Sequence, residues 1–365
     1  MTRIASNTPN WILAAVAIGA ALFFLRDMLA PAALALMLWI AIEAIADWMR
    51  KRVPGMPHWL ALMLSVALVA GDALIVLYAL AQQVGQIAAS AGPLQARLDQ
   101  IASELQHMLH IRGAAWTVDQ ALGMFGPVAI LGQIAGIVNA LAGQVTMVLI
   151  YLLFLFPAGA SVQRKLPLMA TGPGEAQQWA GVLTAIRISI ERYLLVQTAV
   201  SFIIAVLSYI TLLVIGLPNA LFWCMVMFFL NYIPTIGSII AVALPTLFAL
   251  VAFPDWRYAA VVAIGLHVWQ FGIGTFVQPR MTGGSLNLST LVVVLSLAFW
   301  GSIWGLAGVF LAAPLTVLVM IVLAQFPASR WIAVLLSADG KPAIVVHERE
   351  RAPAEADAEA VASAT

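Results

Sequence analysis

Charge is scarce in this sequence. Aspartate, glutamate, lysine and arginine make up only 9% of the 365 residues, whereas hydrophobic residues make up 63% and the mean hydropathy is +1.00. So few charges exclude a soluble globular protein and a disordered chain together. The composition predicts an all-α, polytopic membrane protein, because a helix satisfies its own backbone hydrogen bonds in lipid.

Cysteine and catalytic motifs are equally scarce. Cys224 is the sole cysteine, so no disulfide and no cysteine metal cluster can form within the chain. HExxH, GxSxG and phosphate-loop patterns are absent, and nothing pairs a nucleophile with a base. We therefore expect no enzyme activity, no cofactor and no metal site. The net charge of +1 gives no reason to expect a nucleic-acid partner.

Long apolar runs predict about eight membrane segments, two of them broken or half-length helix pairs. The runs and the polar stretches between them divide the chain into six regions. These are three membrane spans (1–80), an amphipathic segment outside the membrane (81–133), a fourth span (134–157), an amphipathic cytoplasmic loop (158–193), a core with broken helices (194–336) and a disordered cytoplasmic tail (337–365).

Basic residues predict the orientation of these spans. Arg50, Lys51 and Arg52 follow the second span, and Arg164 and Lys165 follow the fourth. Because short cytoplasmic loops are enriched in lysine and arginine, both clusters belong in the cytoplasm. This orientation places both termini in the cytoplasm and the amphipathic segment 81–133 in the periplasm.

The stretch from Phe228 to Gly237 forms a polar break inside an apolar region. The run before it, 219–230, gives about 18 Å of helix, well short of a hydrocarbon core of about 30 Å. Asn231 brings an amide, Pro234 lacks an N–H, and Gly237 tolerates unusual backbone angles. Lipid offers no partners for freed backbone groups, so such a break must be buried in protein or line a watery cavity. A short turn at the membrane surface between two ordinary helices is the alternative.

A similar pattern recurs later in the chain. Residues 289–300 form a second half-length run, residues 301–305 contain two glycines, and a longer run extends to Phe326. Pro314 interrupts this run as Pro245 interrupts the run after the first break. The two pairs enter from opposite sides, which is the pattern of an inverted repeat. Glycine- and proline-containing membrane sequences also produce such a likeness by chance.

Three acidic residues lie in or near apolar spans, where a carboxylate is a functional hypothesis by default. Asp72 lies near the middle of the third span, and Glu43 and Asp47 lie on one helical face near the cytoplasmic end of the second. Each is a candidate for ion or proton coupling. The alternatives are a bond from Asp72 to a neighbouring helix or to water, and an interfacial position for Glu43 and Asp47 beside Arg50.

Several motifs resemble the autoinducer-2 exporter family of bacterial inner-membrane permeases. They are Asn231-Tyr232-Ile233-Pro234-Thr235-Ile236-Gly237, Gln278-Pro279-Arg280-Met281-Thr282-Gly283, the run from Leu288 to Leu297, Pro314-Leu315-Thr316 and Ile332 to Ser337. The resemblance implies a homo-oligomeric, multi-pass inner-membrane permease. Its substrate would be the quorum-sensing signal autoinducer-2, a small polyhydroxylated furanone-type molecule. Some relatives look instead like sodium/proton antiporters. Gln278, beside a turn expected at Pro279, stands where many relatives place a glutamate, which puts charge coupling at that position in doubt.

These observations lead to three functional hypotheses. The first is export of a small polar solute through a pathway formed where the two breaks meet, with membrane lipid as the surroundings. Its expected residues are Asn231, Tyr232, Pro234, Gly237, Gln270, Gln278, Pro279, Arg280, Trp300 and Trp304. The aromatic members could stack on a ring or serve only as packing and interface residues. Sodium/proton exchange through Asp72 is the second hypothesis, and a membrane scaffold without transport activity is the third.

Overall fold

The computed structural model describes residues 8–89, 143–159, 161, 165, 173–282 and 287–342. Every named element within these ranges is helical, which confirms the predicted all-α class. Most of the predicted amphipathic segment 81–133, most of the loop before Pro173, and the tail after Pro342 lie outside the described residues.

The helices follow the apolar runs of the sequence. They are α1 (Thr8–Phe24), α2 (Arg26–Arg52), α3 (His58–Ala89), α4 (Gly143–Gly159), α5 (Pro173–Ile215), α6 (Ala220–Leu230), α7 (Ile236–Ala252), α8 (Trp256–Gly272), a π-helical segment (Ile273–Val277), α9 (Gln278–Thr282), α10 (Thr290–Ala324) and α11 (Arg330–Leu336). By length and composition, five helical stretches in the described residues can cross a membrane: Arg26–Arg52, His58–Ile75, Gln177–Ile215, Trp256–Met281 and Thr290–Ala324. Together with the shorter apolar helices, they agree with a polytopic membrane protein.

Helix α3 extends beyond the end expected at Leu80 and continues to Ala89. Gln82 and Gln83, where the apolar run ends, are good helix formers. The Gln82 side chain also donates a hydrogen bond to the Tyr78 hydroxyl one turn earlier, at 3.1 Å. Polar composition therefore marks a change of surroundings here and does not end the helix.

The described residues belong to two compact units, each built from separate parts of the chain. The first unit takes in the described parts of Met1–Ile40, Tyr151–Leu194 and Gly284–Thr365. The second takes in those of Ala41–Ile150 and Leu195–Gly283. Helices α2, α4 and α5 each contribute residues to both units.

The core of the second unit is formed by α5, α6, α7 and α8. Its fully buried members include Val200, Leu212, Met227 and Leu266. Small residues face the same core, among them Ala241, Ala249 and Ala259. Small side chains allow close helix packing, which is the usual source of association between helices in lipid.

In the first unit, α10 supplies a long buried face. Val317 and Ile321 pack against Val182 of α5, and Met320 packs with Ala333 of α11. A short antiparallel bridge joins Leu288, just before α10, to Ser337, just after α11. This bridge fixes the beginning of α10 against the end of the described chain.

The first break lies where the sequence predicts it, between α6 and α7. Thr235 has φ 64° and ψ −60°, and the Ile236 N–H donates to the Pro234 carbonyl at 2.6 Å, which makes Thr235 the centre of a γ-turn. A Cβ on Gly237 would overlap the Leu230 carbonyl oxygen. Glycine is therefore required for the close return of α7 past the end of α6.

The second break is narrower than expected. Two helical stretches of α10 meet at a kink within the predicted break at 301–305, where Gly305 departs from helical geometry, with φ 61° and ψ −137°. A Cβ on Gly308 would overlap the Trp300 carbonyl oxygen. A glycine thus lies against a carbonyl of the helical stretch before each break, at Leu230 in the first and at Trp300 in the second.

The turn expected around Pro279 was wrong, because the chain stays helical to Thr282. Helix α8 widens into the π-helical segment, where the Gln278 N–H donates to the Ile273 carbonyl. Pro279 then falls in the first turn of α9, where a missing N–H is tolerated. The wider turn aligns Gln278 with α5 and resembles the π-bulges that frequently mark functional sites.

Candidate solute site at the first helix break

Amide and hydroxyl groups from three parts of the second unit meet at the first break. Gln197 on α5 donates from Nε2 to the backbone carbonyl of Asn231, at 2.7 Å. Asn231 donates from Nδ2 to the Ser201 hydroxyl, at 3.1 Å. Gln278 donates from Nε2 to Gln197 Oε1, at 3.3 Å. These four residues form a continuous polar network.

A tyrosine extends this network along α5. The Tyr232 hydroxyl lies 2.6 Å from the Thr198 hydroxyl, within hydrogen-bond distance. Tyr232 is buried, and its ring packs edge to face against Phe228 with centroids 5.8 Å apart. The first break therefore presents both an aromatic ring and polar groups.

Local geometry explains why α5 supplies so many of these groups. Gln197, Ser201, Ile204, Ser208 and Thr211 recur at helical spacing and lie on one side of α5. Gln197 and Ser201 are buried even though the surrounding helix is strongly apolar. Their hydrogen bonds compensate the loss of water around them.

The network is chemically neutral. Amides and hydroxyls donate to and accept from hydroxyl and carbonyl oxygens, but they do not exchange protons near neutral pH. The arrangement is suited to binding an uncharged oxygen-bearing molecule. It offers no titratable group for proton coupling among the bonded side chains that form it.

The second unit also contains five other expected pathway residues. Pro234 and Gly237 shape the turn, and Pro279 begins α9 beside Gln278. Arg280 is exposed, and Gln270 is buried on α8. The structure thus brings Asn231, Gln278 and their α5 partners into contact and leaves the Arg280 side chain outside.

The two expected tryptophans belong to the first unit and are hydrogen-bonded within it. Trp300 donates from Nε1 to the Thr316 hydroxyl at 3.1 Å, and Trp304 donates from Nε1 to the Leu22 carbonyl at 3.1 Å. Both rings are buried, with centroids 5.1 Å apart. These contacts favour the packing alternative. The meeting of the two breaks at one site stays a prediction.

The acidic candidates Glu43 and Asp47 lie elsewhere in the second unit. Their carboxylate oxygens and a ring nitrogen of His58 all lie within 4.8 Å of one another, close enough to hold a divalent cation. Asp47 also lies 3.9 Å from Arg50, as the interfacial alternative expects. Exposed acids commonly gather without a metal, so the arrangement is equally typical of charge pairing at a helix end. The Asp72 side chain is outside the described residues.

Comparison with known proteins identifies the family. The model of the family described as AI-2E family transporter matches residues 12–328. This chain belongs to the AI-2E transporter family. The AI-2 transport protein TqsA of Escherichia coli (strain K12) is 29% identical over 318 residues, which cover 86% of this chain and 90% of TqsA.

Other relatives agree with a transport role for this AI-2E transporter. A Haemophilus influenzae protein is 27% identical over 89% of this chain and 94% of its own length. YhhT of Escherichia coli is 27% identical over 87% of this chain and 89% of its own length. The names of both assign them to transport only provisionally and give no substrate.

Sequence reasoning missed half of the polar network of this AI-2E transporter. Gln197, Thr198 and Ser201 are absent from the expected pathway, although they contact residues that were expected. A signal was available, because polar side chains one turn apart in a spanning run commonly bond across helices. Which helix they face depends on the return of α6 and could not be read locally.

Proposed function

We propose that this AI-2E transporter exports a small, neutral, polar solute, and that the solute is autoinducer-2. The observation that carries the proposal is the neutral network joining Gln197, Asn231, Ser201 and Gln278 at a helix break. The name of TqsA, the AI-2 transport protein, supports the choice of autoinducer-2. A polyhydroxylated solute matches the network because each hydroxyl both donates and accepts a hydrogen bond.

Binding proceeds by exchange of hydrogen bonds. The bond from Gln278 to Gln197 is the longest of the network at 3.3 Å, and opening it frees one amide donor and one amide acceptor. A solute hydroxyl can occupy both, so the buried amides stay satisfied in the free and bound states. The Tyr232 ring supplies an apolar surface for the carbon skeleton of the solute.

The proposal extends to membrane placement. The protein is a multi-pass protein of the bacterial inner membrane with both termini in the cytoplasm, supported by the basic residues that end α2. It acts as a homo-oligomer and releases a quorum-sensing signal. Exposed apolar side chains such as Val214 and Phe202 suit contact with lipid or a second copy.

Sodium/proton exchange is the second candidate, favoured by the grouping of Glu43, Asp47 and His58. Carboxylates and an imidazole are the side-chain types that bind protons and cations, whereas the amides of the network are not. The two functions therefore differ in where substitutions act and in whether transport depends on pH.

Transport by purified protein in proteoliposomes tests the proposal. We expect efflux of autoinducer-2 whose rate is nearly constant between about pH 6 and pH 8, because the network contains no group that titrates there. Gln197→Leu should lower this rate at least about tenfold, since it removes two bonds of the network.

The matched control is Gln325→Leu. Gln325 is a half-buried glutamine of the first unit whose amide donates to the Ile321 carbonyl at 3.0 Å. The Gln325→Leu variant should transport autoinducer-2 at the rate of the unmodified protein. Sodium/proton exchange by the unmodified protein, without efflux of autoinducer-2, would overturn the proposed function in favour of the second candidate.

A further inference from the structure

Three buried polar groups of the second unit have no hydrogen-bond partner among the residues that the structure describes. They are Ser208 Oγ on α5, Trp223 Nε1 on α6 and Gln270 Nε2 on α8. Ser208 is fully buried, and Trp223 and Gln270 are each only 8% exposed. An unpaired buried donor is unfavourable, so three of them in one unit require an explanation.

All three groups face the same core. Trp223 is a member of the cluster formed by α5, α6, α7 and α8. Ser208 lies one turn from both Ile204 and Leu212, and Gln270 lies one turn from both Leu266 and Ile273, all members of that cluster. Residues one turn apart share a helix face, so Ser208 and Gln270 point toward the core that contains Trp223.

Side-chain contacts show which residues of α8 lie beside which residues of α5. Trp269 donates from Nε1 to the Thr211 hydroxyl at 2.9 Å, and a Cβ on Gly265 would lie 2.9 Å from the Thr211 methyl group. Gln278 meets Gln197 nearer the other end. Between these two points the antiparallel helices place Gln270 within about one turn of Ser208.

The level of α6 follows in the same way. Asn231 contacts Gln197 and Ser201 on α5 at one end of α6. The turn around Gly216 joins the two helices at the other end. Trp223 lies about two turns back from Asn231, which places it within about one turn of Ser208. The three unpaired groups therefore lie at one depth on three helices.

We propose that Ser208, Trp223 and Gln270 form a second binding site, which takes an uncharged hydroxyl or carbonyl oxygen of the transported solute. The indole N–H only donates, and the amide nitrogen and the hydroxyl donate as well, so the set is matched to an oxygen acceptor. The site lies about 10 Å along α5 from Ser201, further into the unit from the network at the first break. This inference rests on the proposed function, because the solute is the one that the first network binds.

The test measures thermal stability without solute and the Kd for autoinducer-2, in detergent-purified protein. Gln270→Leu keeps a similar volume and removes the unpaired amide, so the Tm without solute should rise by a few degrees. The Kd for autoinducer-2 should weaken at least about tenfold, because one donor to the solute is lost. Ser208→Ala should act in the same direction, whereas Trp223→Phe should weaken the Kd but also leaves a cavity, so only its Kd is compared. One well-folded variant of the three suffices for the Kd.

Gln325→Leu is again the matched control. It removes an amide that already donates to a backbone carbonyl, so its Tm should fall or stay unchanged and its Kd should equal that of the unmodified protein. If Gln270→Leu instead lowers the Tm, its amide is satisfied inside the protein and the second site is overturned. If the three variants bind autoinducer-2 as tightly as the unmodified protein, the second site is overturned and the proposed function stands.

Failure of the proposed function would look different. It would show as no binding and no efflux of autoinducer-2 by the unmodified protein, and it would also overturn the assignment of this solute to the second site. The Tm values of Gln270→Leu and Ser208→Ala without solute would still decide whether these two buried donors are unpaired.

Discussion

The two helix breaks share one backbone feature, a glycine packed against a carbonyl, and differ in their side chains. In each, a glycine lies so close to a carbonyl of the preceding half-helix that a Cβ would overlap it: Gly237 against Leu230, and Gly308 against Trp300. Around the first break are amides and hydroxyls that bond to one another. Around the second are buried tryptophans whose N–H groups bond to Thr316 and Leu22.

The difference indicates a division of roles. At the second break each indole N–H is a single donor that is already bonded, so this break is suited to fixing structure. A break lined by neutral amides can exchange one hydrogen-bond partner for another at little net cost. The likeness of the two backbones is consistent with an inverted repeat, whereas in our proposal the second break takes no part in recognising the solute.

The largest expected effect is the loss of stability when alanine replaces the glycine that lies against a carbonyl at either break. Gly237→Ala and Gly308→Ala should each lower the free energy of unfolding by about 3 kcal/mol, because backbone atoms must move to make room. Gly272→Ala is the control, since nothing lies within 4 Å of its Cβ position. Denaturant unfolding in detergent measures all three. A large loss of unfolding free energy at one break only would show that the close glycine contact does not matter equally at both breaks.

The sequence predicts features that depend on neighbouring residues better than contacts between residues far apart in the chain. The first break was predicted from Asn231, Pro234 and Gly237, because an amide, a missing N–H and a glycine act locally. The second was placed too broadly, because the sequence does not show which of Gly301 and Gly305 adopts a positive φ. In the structure, Gly305 is the one that does. Local chemistry therefore predicts that a break exists more reliably than where it lies.

The contacts that form the candidate site were harder to predict. Gln197 meets Asn231 across 34 positions of sequence, and Gln278 meets Gln197 across 81. Such pairs depend on the register of α5 against α6 and α8, which packing of the whole unit sets. The misplaced turn at Pro279 has the same origin, because the π-helical segment before it shifts the hydrogen bonding.

One side-chain substitution at each break should affect a different measurement. Asn231→Leu should lower autoinducer-2 efflux about tenfold, because it removes the amide that bonds to Ser201. Trp300→Phe should leave efflux within about twofold and lower the free energy of unfolding by about 1 kcal/mol, through the lost bond to Thr316. Proteoliposome efflux and denaturant unfolding measure the pair. A strong loss of efflux in Trp300→Phe would place the second break in the solute pathway as well.

Backbone strain offers a reciprocal test of the two breaks. The first carries Thr235 at φ 64°, which is unfavourable for a β-branched residue, whereas the second carries Gly305 at φ 61°. Thr235→Gly should raise the free energy of unfolding by about 1 kcal/mol, and Gly305→Ala should lower it by about the same amount. Thermal unfolding of the two variants beside the unmodified protein decides this. A destabilised Thr235→Gly would mean that contacts of the threonine side chain outweigh the strain.

The smallest expected effect concerns how the half-helix before the second break is held at its beginning. Asn287 donates from Nδ2 to an Asp339 carboxylate oxygen at 2.7 Å, just before α10, while the Lys341 N–H donates to the same oxygen at 2.8 Å. The backbone hydrogen bond from Lys341 and then the side-chain bond from Asn287 lower the pKa of Asp339 below its ordinary value. Because the folded pKa is the lower one, this stabilisation is present above about pH 4, the unfolded value, and is lost as pH falls through the folded pKa.

The half-helix before the first break begins differently, after Asn219 with no side-chain cap, so it provides no equivalent carboxylate contact at that cap. Asp339→Asn should therefore lower the Tm slightly at pH 7, and the difference from the unmodified protein should vanish on acidification below the folded pKa. Asp339 is exposed, so solvent screening keeps the effect small. Thermal unfolding at neutral and acidic pH measures it. A Tm difference that persists unchanged at acidic pH would assign the anchoring of α10 to the shape of the turn and not to the charge of the carboxylate.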